Sequence, residues 1–164
     1  MESPTLAASA RRMPTIFWED FQIGQVREFG AMAVTLDAVT DFAGRFDPQP
    51  FHLDEAAGRA TPYGGLIASG WHTAAMAMRM MCDAYLLDAA SLGSPGIDNL
   101  RWLAPVRPGD TLRTRMTVLA ARVMQSRPDA GLVESRWEVM NQHGTVVLDM
   151  RGWGMFGRRG ARPG

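Results

Sequence analysis

A long apolar stretch, from Gly70 to about Leu87, constrains the fold of this chain more than any other feature. Only Arg79 and Asp83 interrupt it, so hydrophobic side chains fall on nearly every face of the helix that their spacing predicts. A helix that is hydrophobic all round must be covered on all sides. The sequence therefore predicts a central helix that begins at a glycine and is wrapped by another layer of structure.

The second half of the chain supplies a candidate for that layer. Four segments have the composition of β-strands, at 97–104, 111–121, 132–140 and 145–153, and a first strand is predicted at 25–34. In the segment 132–140, apolar and polar side chains largely alternate, which is the period of a half-buried antiparallel strand. A helix combined with an antiparallel sheet indicates an α+β domain.

The composition fits one globular domain with no general attraction to polyanions. The chain has 164 residues, of which 46% are hydrophobic, and 17 acidic residues balance 17 basic ones, so neither nucleic acid nor a membrane surface is an expected partner. No apolar run approaches the about 20 residues that span a bilayer, and the start lacks the apolar core of a secretory signal. We predict a cytoplasmic domain at 15–156 between flexible tails at 1–14 and 157–164.

The run from Phe46 to His52 contains two prolines, which fix their own backbone φ and favour extended conformations in the residues before them. It cannot be helical, so its polar groups must project from a stiff loop. Helical signals flank this loop on both sides. Thr35 can cap a short helix that leads into it, and Asp54 can cap one or two turns that follow it.

Asp47 and His52 lie five residues apart on this loop. A carboxylate and a neutral imidazole that meet at one water molecule can orient it and take its proton, which is general acid–base chemistry. Gly70, eighteen residues after His52, opens the central helix. Its N–H belongs to the unsatisfied first turn and can hold a developing negative charge. These three residues are the candidate catalytic set.

Other roles for the pair stay open from the residues alone. Asp47 can cap a turn, and His52 can be a hydrogen-bonded structural residue. A metal site is a further alternative, with Asp47, His52 and Asp54 as ligands, although no second cluster of histidine or cysteine accompanies them.

The order of these elements resembles the MaoC-like hydratases, a family of (R)-specific enoyl-CoA hydratases. The resemblance rests on the run Asp41-Phe42-Ala43, on the aspartate and histidine with four residues between them, and on the glycine at the head of the helix. The segment Leu103-Ala104-Pro105-Val106-Arg107-Pro108-Gly109-Asp110 also resembles the strand-ending turn of the family. The likeness covers roughly residues 18–156.

The resemblance implies a hot-dog fold, in which an antiparallel sheet wraps the helix, and a homodimer whose sheets join edge to edge. It also implies reversible hydration of a trans-2-enoyl-CoA, straight or branched, to an (R)-3-hydroxyacyl-CoA. Asp47 and His52 would hold the water and move its protons, while the Gly70 N–H stabilises the enolate oxygen. Coenzyme A belongs to the substrate, so no metal or separate cofactor is expected. Alanine at position 70 should then be tolerated better than valine.

The chain departs from the family at two positions. Some (R)-hydratases carry a serine two turns into the central helix, where this chain has Met78; Ser69 is nearby but precedes the glycine. Gln49 stands where many relatives have asparagine.

Two alternative functions share the fold. A hot-dog thioesterase usually has an acidic residue early on the central helix, where the first one here is Asp83. A noncatalytic module that binds acyl-CoA or an acyl carrier would keep the N-terminus of the central helix as a binding site but lack the catalytic chemistry.

Several further side chains are candidates for substrate contacts. Guanidinium groups match phosphate geometry, and the four arginines that could meet the phosphates of coenzyme A are Arg45, Arg59, Arg101 and Arg107. His72 is close to the helix mouth, but helical periodicity turns it away from the face of Gly70. His143 is expected to be solvated in a hairpin turn.

Overall fold

The computed structural model describes residues 13–161, and five strands form one antiparallel sheet in the order β1-β3-β4-β5-β2. The strand bounds are Val26–Ala33 for β1, Ser91–Trp102 for β2, Thr111–Val123 for β3, Ala130–Met140 for β4 and Val146–Gly157 for β5. Each predicted strand is present. β2 begins well before the predicted residue 97, because Gly93 and Gly96 adopt positive φ and shift its register against β5 while the pairing continues.

The three predicted helices are also present. Helix α1 spans Leu36–Phe46, and the Thr35 hydroxyl that caps it accepts a hydrogen bond from Ala38 N–H at 3.2 Å. Helix α2 spans Glu55–Arg59 and is capped by Asp54. Helix α3 spans Gly70–Met81 and continues through one π-helical turn, Cys82–Leu86, close to the predicted end at Leu87.

Helix α3 packs one face into the concave side of the sheet. Its buried residues are His72, Thr73, Met76, Ala77, Met80 and Met81, and fully buried side chains of the sheet such as Leu112, Met116 and Leu148 complete the core. The prediction that α3 is covered on every side was wrong for the single chain. Trp71 is 60% and Met78 47% exposed, because five strands curve over one side of the helix only. With Ala75 these residues form the apolar strip of α3.

The predicted alternation in β4 is confirmed, since Val133, Trp137 and Val139 are buried. Glu134 points to the opposite side of the strand and is nevertheless only 7% exposed. Its carboxylate accepts a 2.6 Å hydrogen bond from Arg151 on β5. This ion pair offsets the cost of removing the Glu134 charge from water.

The segment after β5 packs back onto the start of the described chain. The guanidinium of Arg159 pairs with the Asp20 carboxylate at 2.7 Å, and the backbone N–H of Arg159 donates to the Glu19 carboxylate at 3.0 Å. Of the two predicted tails, residues 1–12 and 162–164 lie outside the described residues, and Gly157 belongs to β5. Within 13–161 no helix has both the length and the apolar character that crossing a membrane requires.

One long helix held in a curled antiparallel sheet is the arrangement of the hot-dog fold, in the α+β class, and the fold prediction is confirmed. The connection from β1 to α3 contains α1, α2 and, between them, the loop with Asp47 and His52. This loop lies against the N-terminus of the central helix.

Candidate active site

Hydrogen bonds hold the loop between α1 and α2 in place at both ends. The N–H of Asp47 donates to the carbonyl of Ala43 at 2.9 Å and so ends α1. Pro50–His52 form a single 3₁₀ turn. The carbonyl of Phe51 accepts from Ile67 N–H at 3.2 Å, which joins the loop to the segment that leads into α3.

Asp47 and His52 face each other. His52 Nε2 lies 3.2 Å from Asp47 Oδ2. The histidine is only 4% exposed, whereas the aspartate side chain keeps 17% exposure. The carboxylate is therefore the side of the pair that water or a substrate reaches first.

A second contact determines which nitrogen of His52 is basic. Nδ1 lies 2.8 Å from the carbonyl oxygen of Ile67, and because a carbonyl oxygen can only accept, Nδ1 carries the hydrogen. Nε2 is then the nitrogen that takes up or releases a proton, and it points at Asp47. A proton that binds there gains a carboxylate as its partner.

Three side chains surround the carboxylate of Asp47. Ser69 Oγ donates to Oδ2 at 2.6 Å, and Gln49 Nε2 donates to Oδ1 at 2.8 Å, while His52 approaches Oδ2. The hydrogen bond from Ser69, followed by that from Gln49, holds the pKa of Asp47 below its ordinary value of 3.8, against the opposing effect of burial. Asp47 is therefore an ionised acceptor at neutral pH.

The N-terminus of α3 lies beside this cluster, because Ser69 directly precedes Gly70. No side chain caps the helix. Among residues 13–161, no hydrogen-bond acceptor is paired with the backbone N–H of Gly70, Trp71 or His72. Such first-turn N–H groups carry the positive end of the helix dipole, so this end of α3 can stabilise developing negative charge.

Ser69 is the site residue that the sequence interpretation set aside. It is fully buried and lies 22 residues from Asp47, to which it is hydrogen bonded. The available signal was its position immediately before the helix-opening glycine, where a serine usually caps its own helix. Here the side chain reaches the loop instead.

The remaining candidates take structural positions in the described chain. His72 is 8% exposed and stacks on Phe42 of α1 at 4.8 Å, where burial lowers its pKa. Asp54, the third ligand of the alternative metal site, uses its carboxylate to cap α2. His143 is exposed in the turn between β4 and β5, as predicted.

Three of the four candidate arginines are engaged. Arg45 pairs with Asp41 at 3.0 Å and Arg59 with Glu55 at 3.1 Å, each within one helical turn, and Arg107 donates to the carbonyl of Tyr63. The side chain of Arg101, on β2, has no hydrogen-bond or ion-pair partner among residues 13–161, although its backbone pairs with β5.

Met78 lies apart from the network around Asp47. It is eight residues along α3 from Gly70, which corresponds to about 12 Å of helix. It lines an apolar cavity of about 240 Å³ between the helix and the sheet, with Met81, Ile97 and Trp153 among the other lining residues. The position of the family serine is thus an apolar wall in this chain.

The comparisons with known proteins agree with the fold described above. The model of the MaoC-like domain matches residues 20–139, which is most of the chain. The chain therefore belongs to the MaoC-like dehydratase family, a family of hydratases and dehydratases.

Individual relatives support the same assignment. A MaoC-like dehydratase of Rhodospirillum rubrum is 42% identical, with a TM-score of 0.82 over 89% of this chain and 99% of that one. An R-hydratase of Pseudomonas aeruginosa is 23% identical and shares the fold, with a TM-score of 0.71 over 91% of this chain and 94% of its own. A mesaconyl-CoA hydratase of Cereibacter sphaeroides is 42% identical over 59 residues, which are 36% of this chain and 17% of that protein.

Proposed function

We propose that this protein catalyses the reversible hydration of a trans-2-enoyl-CoA, straight or branched, to an (R)-3-hydroxyacyl-CoA. The observation that carries the proposal is the buried His52, whose basic Nε2 points at the ionised Asp47 next to the uncapped N-terminus of α3. The dehydratase, R-hydratase and mesaconyl-CoA hydratase among its relatives support the reaction class and the thioester substrate.

The proposed mechanism assigns a separate step to each group. A water that contacts both Asp47 and His52 loses a proton to Nε2 while its oxygen bonds to C3 of the enoyl thioester. The electrons of the C2–C3 double bond move toward the thioester oxygen and create an enolate. The Gly70 N–H stabilises that oxygen, and the proton on the pair then passes to C2. The reaction consumes only water, so coenzyme A takes part as the carrier of the acyl group.

The ionised state of Asp47 favours His52 as the group that stores the proton. Hydrogen bonds from Ser69 and Gln49 stabilise the carboxylate rather than the acid. The carboxylate orients the water and compensates the charge of the imidazolium that forms. This division of roles resembles other pairs in which one group titrates and the other keeps its charge.

We also propose that the active protein is a homodimer that joins at β2. Strand β2 is an edge of the sheet and is exposed over nearly its whole length, and unpaired edges of this kind readily accept another strand. It is continuous with the apolar strip of α3, because Trp71 contacts the ring of Trp102 at 5.1 Å between centroids and Met78 shares a cavity with Ile97. A second copy would cover both surfaces.

A parallel assay of two reactions tests the proposed activity. Purified protein is mixed with crotonyl-CoA and, separately, with a branched enoyl-CoA. Loss of the conjugated thioester, the chirality of the product and release of free coenzyme A thiol are measured together. We expect (R)-3-hydroxyacyl-CoA without free thiol. Free thiol from the enoyl or hydroxyacyl thioester would instead indicate a thioesterase. Binding without either reaction would indicate the noncatalytic module.

A further inference from the structure

We infer that Ser69 is a positioning residue, which fixes the carboxylate of Asp47 against His52 and against the first turn of α3. The inference rests on the proposed function for its catalytic meaning, and on contacts in the structure for its physical basis. The Ser69 hydroxyl is fully buried and donates to Asp47 Oδ2 at 2.6 Å. The same oxygen faces His52 Nε2 at 3.2 Å.

The backbone at Ser69 makes this use of the hydroxyl unusual. Ser69 is the N-cap residue of α3, with a non-helical backbone at φ −56° and ψ 139°, yet its side chain makes no capping hydrogen bond. A serine at this position ordinarily accepts from an N–H of the first turn. The hydroxyl donates to Asp47 instead, and the N–H groups of the first turn stay unpaired among residues 13–161.

Ser69 also joins two separate parts of the proposed machinery. Asp47 lies on the loop after α1, whereas the Gly70 N–H belongs to α3, and Ser69 is covalently bonded to Gly70 while hydrogen bonded to Asp47. Gln49 holds the other carboxylate oxygen, but it lies on the same loop as Asp47 and is exposed. The Ile67 contacts with Phe51 and His52 fix the loop backbone and the imidazole, and Ser69 links the carboxylate itself to the residue that precedes α3.

The position of Ser69 gives it a role that the family serine cannot have in this chain. Met78 occupies the place of that serine and lines an apolar cavity. Ser69 approaches the pair from the N-terminal end of the same helix. In this protein, the hydroxyl that contacts the carboxylate of Asp47 therefore lies at the N-terminal end of α3.

The surroundings of Asp47 are simple enough for a clean titration experiment. The titratable group in contact with it is His52, from the 3₁₀ turn. On α1, Arg45 is paired with Asp41 at the surface. The segment before α3 presents only the neutral Ser69 to the carboxylate. A change in the pKa of Asp47 on substitution of Ser69 would therefore report on their hydrogen bond.

The test compares wild-type protein with Ser69→Ala and Ser69→Cys. Cysteine fills the serine site but is a weak donor, so it covers the case in which alanine fails to fold. Thr114→Val is the control, because it removes another fully buried hydroxyl, one that donates a hydrogen bond to the sulfur of Met80 at 3.8 Å. The pKa of Asp47 is measured by ¹³C NMR of its carboxyl carbon. Values of kcat and KM for enoyl-CoA hydration are measured on the same samples.

We expect the pKa of Asp47 to rise in both Ser69 variants and to stay unchanged in Thr114→Val. We expect kcat to fall about 10- to 100-fold, the factor that a charge-assisted hydrogen bond supplies, with little change in KM because Ser69 does not touch substrate. An unchanged Asp47 pKa in either folded Ser69 variant would overturn the inference, as would an unchanged kcat in an active enzyme. Absence of hydration by wild-type protein would overturn the proposed function instead, and the NMR titration would still decide the Ser69–Asp47 contact.

Discussion

Gly70 lies directly against the indole ring of Trp102, so that a Cβ atom at position 70 would stand 2.4 Å from Cε2 of that ring. The first residue of α3 and the last residue of β2 therefore meet at the mouth of the candidate site. The glycine allows this close approach. The resemblance implied a different reason for a small residue, namely that the Gly70 N–H stabilises the thioester oxygen, and on that basis alanine should be tolerated better than valine. The structure predicts that even one methyl group is too large.

We expect Gly70→Ala to lower the free energy of unfolding by about 1–3 kcal/mol, the usual cost of overpacking. Gly44→Ala is a matched control, since Gly44 lies within α1 and an added Cβ has no neighbour within 4 Å. That control should be neutral or more stable by up to about 1 kcal/mol, because alanine favours the helix. Urea unfolding measures both. Equal stability of Gly70→Ala and wild type would show that Trp102 moves aside without cost.

Substitution of the acid–base pair should abolish most of the activity without unfolding the protein. We expect Asp47→Asn and His52→Gln each to lower kcat by about 10² to 10⁴, the range for a positioned acid–base group. The double variant should lose much less than the product of the single losses, because the two residues act as a unit. Near-normal kcat in either folded single variant would remove that residue from the chemistry.

Met78→Ser tests whether the family serine has simply been lost. Because Met78 is 47% exposed and lines an apolar cavity, we expect a change in stability within about 1 kcal/mol and no gain in hydration of crotonyl-CoA. The measurement is kcat/KM beside urea unfolding. A large gain would contradict this expectation and show that the natural chain has a weakened active site.

The lowered pKa of Asp47 predicts a specific loss of stability in acid. Its folded-state pKa lies below the ordinary value of 3.8, so the ionised carboxylate stabilises the fold fully above that value. The contribution is lost as pH falls through the folded-state pKa. Below about pH 5, the free energy of unfolding should fall more steeply for wild type than for Asp47→Asn. Identical slopes would mean that the two donors, Ser69 and Gln49, do not favour the carboxylate.

The proposed dimer can be tested at the two edges of the sheet. Ile97 on β2 is 47% exposed and Val26 on β1 is 56% exposed. We expect Ile97→Lys to convert the dimer to monomer, because a charge at a covered apolar edge opposes strand pairing. Val26→Lys, on the opposite edge, should leave it intact. Light scattering after size-exclusion chromatography measures the mass. A monomeric wild type, or dissociation by the Val26 variant alone, would contradict pairing at β2.

Much of the local structure followed from short-range patterns. Thr35 and Asp54 cap the helices for which they were chosen, since a cap needs only the adjacent N–H groups. The early part of β2 was not predicted, because Gly93 and Gly96 have no strand propensity of their own. Pairing with β5 keeps them in the sheet in spite of this.

The candidate site also combines features that the sequence indicated with features that depend on the fold. The spacing of Asp47 and His52 on a proline-rich loop indicated the pair, and the structure brings them together. The burial of His52 and its contact with the Ile67 carbonyl depend on where the loop lies against α3. Ser69 was passed over because its ordinary role is local, whereas its contact with Asp47 joins segments that are 22 residues apart.

By itself, the sequence determined the helices, most of the strands, the α+β class and the loop that carries Asp47 and His52. These depend on residue periodicity, proline stereochemistry and capping, which act over a few neighbouring residues. The tertiary structure alone decided that one side of α3 is uncovered in the single chain, that Trp102 closes on Gly70, and that Ser69 holds Asp47. Each of these depends on which distant segments meet in the fold, and one-dimensional spacing does not contain that information.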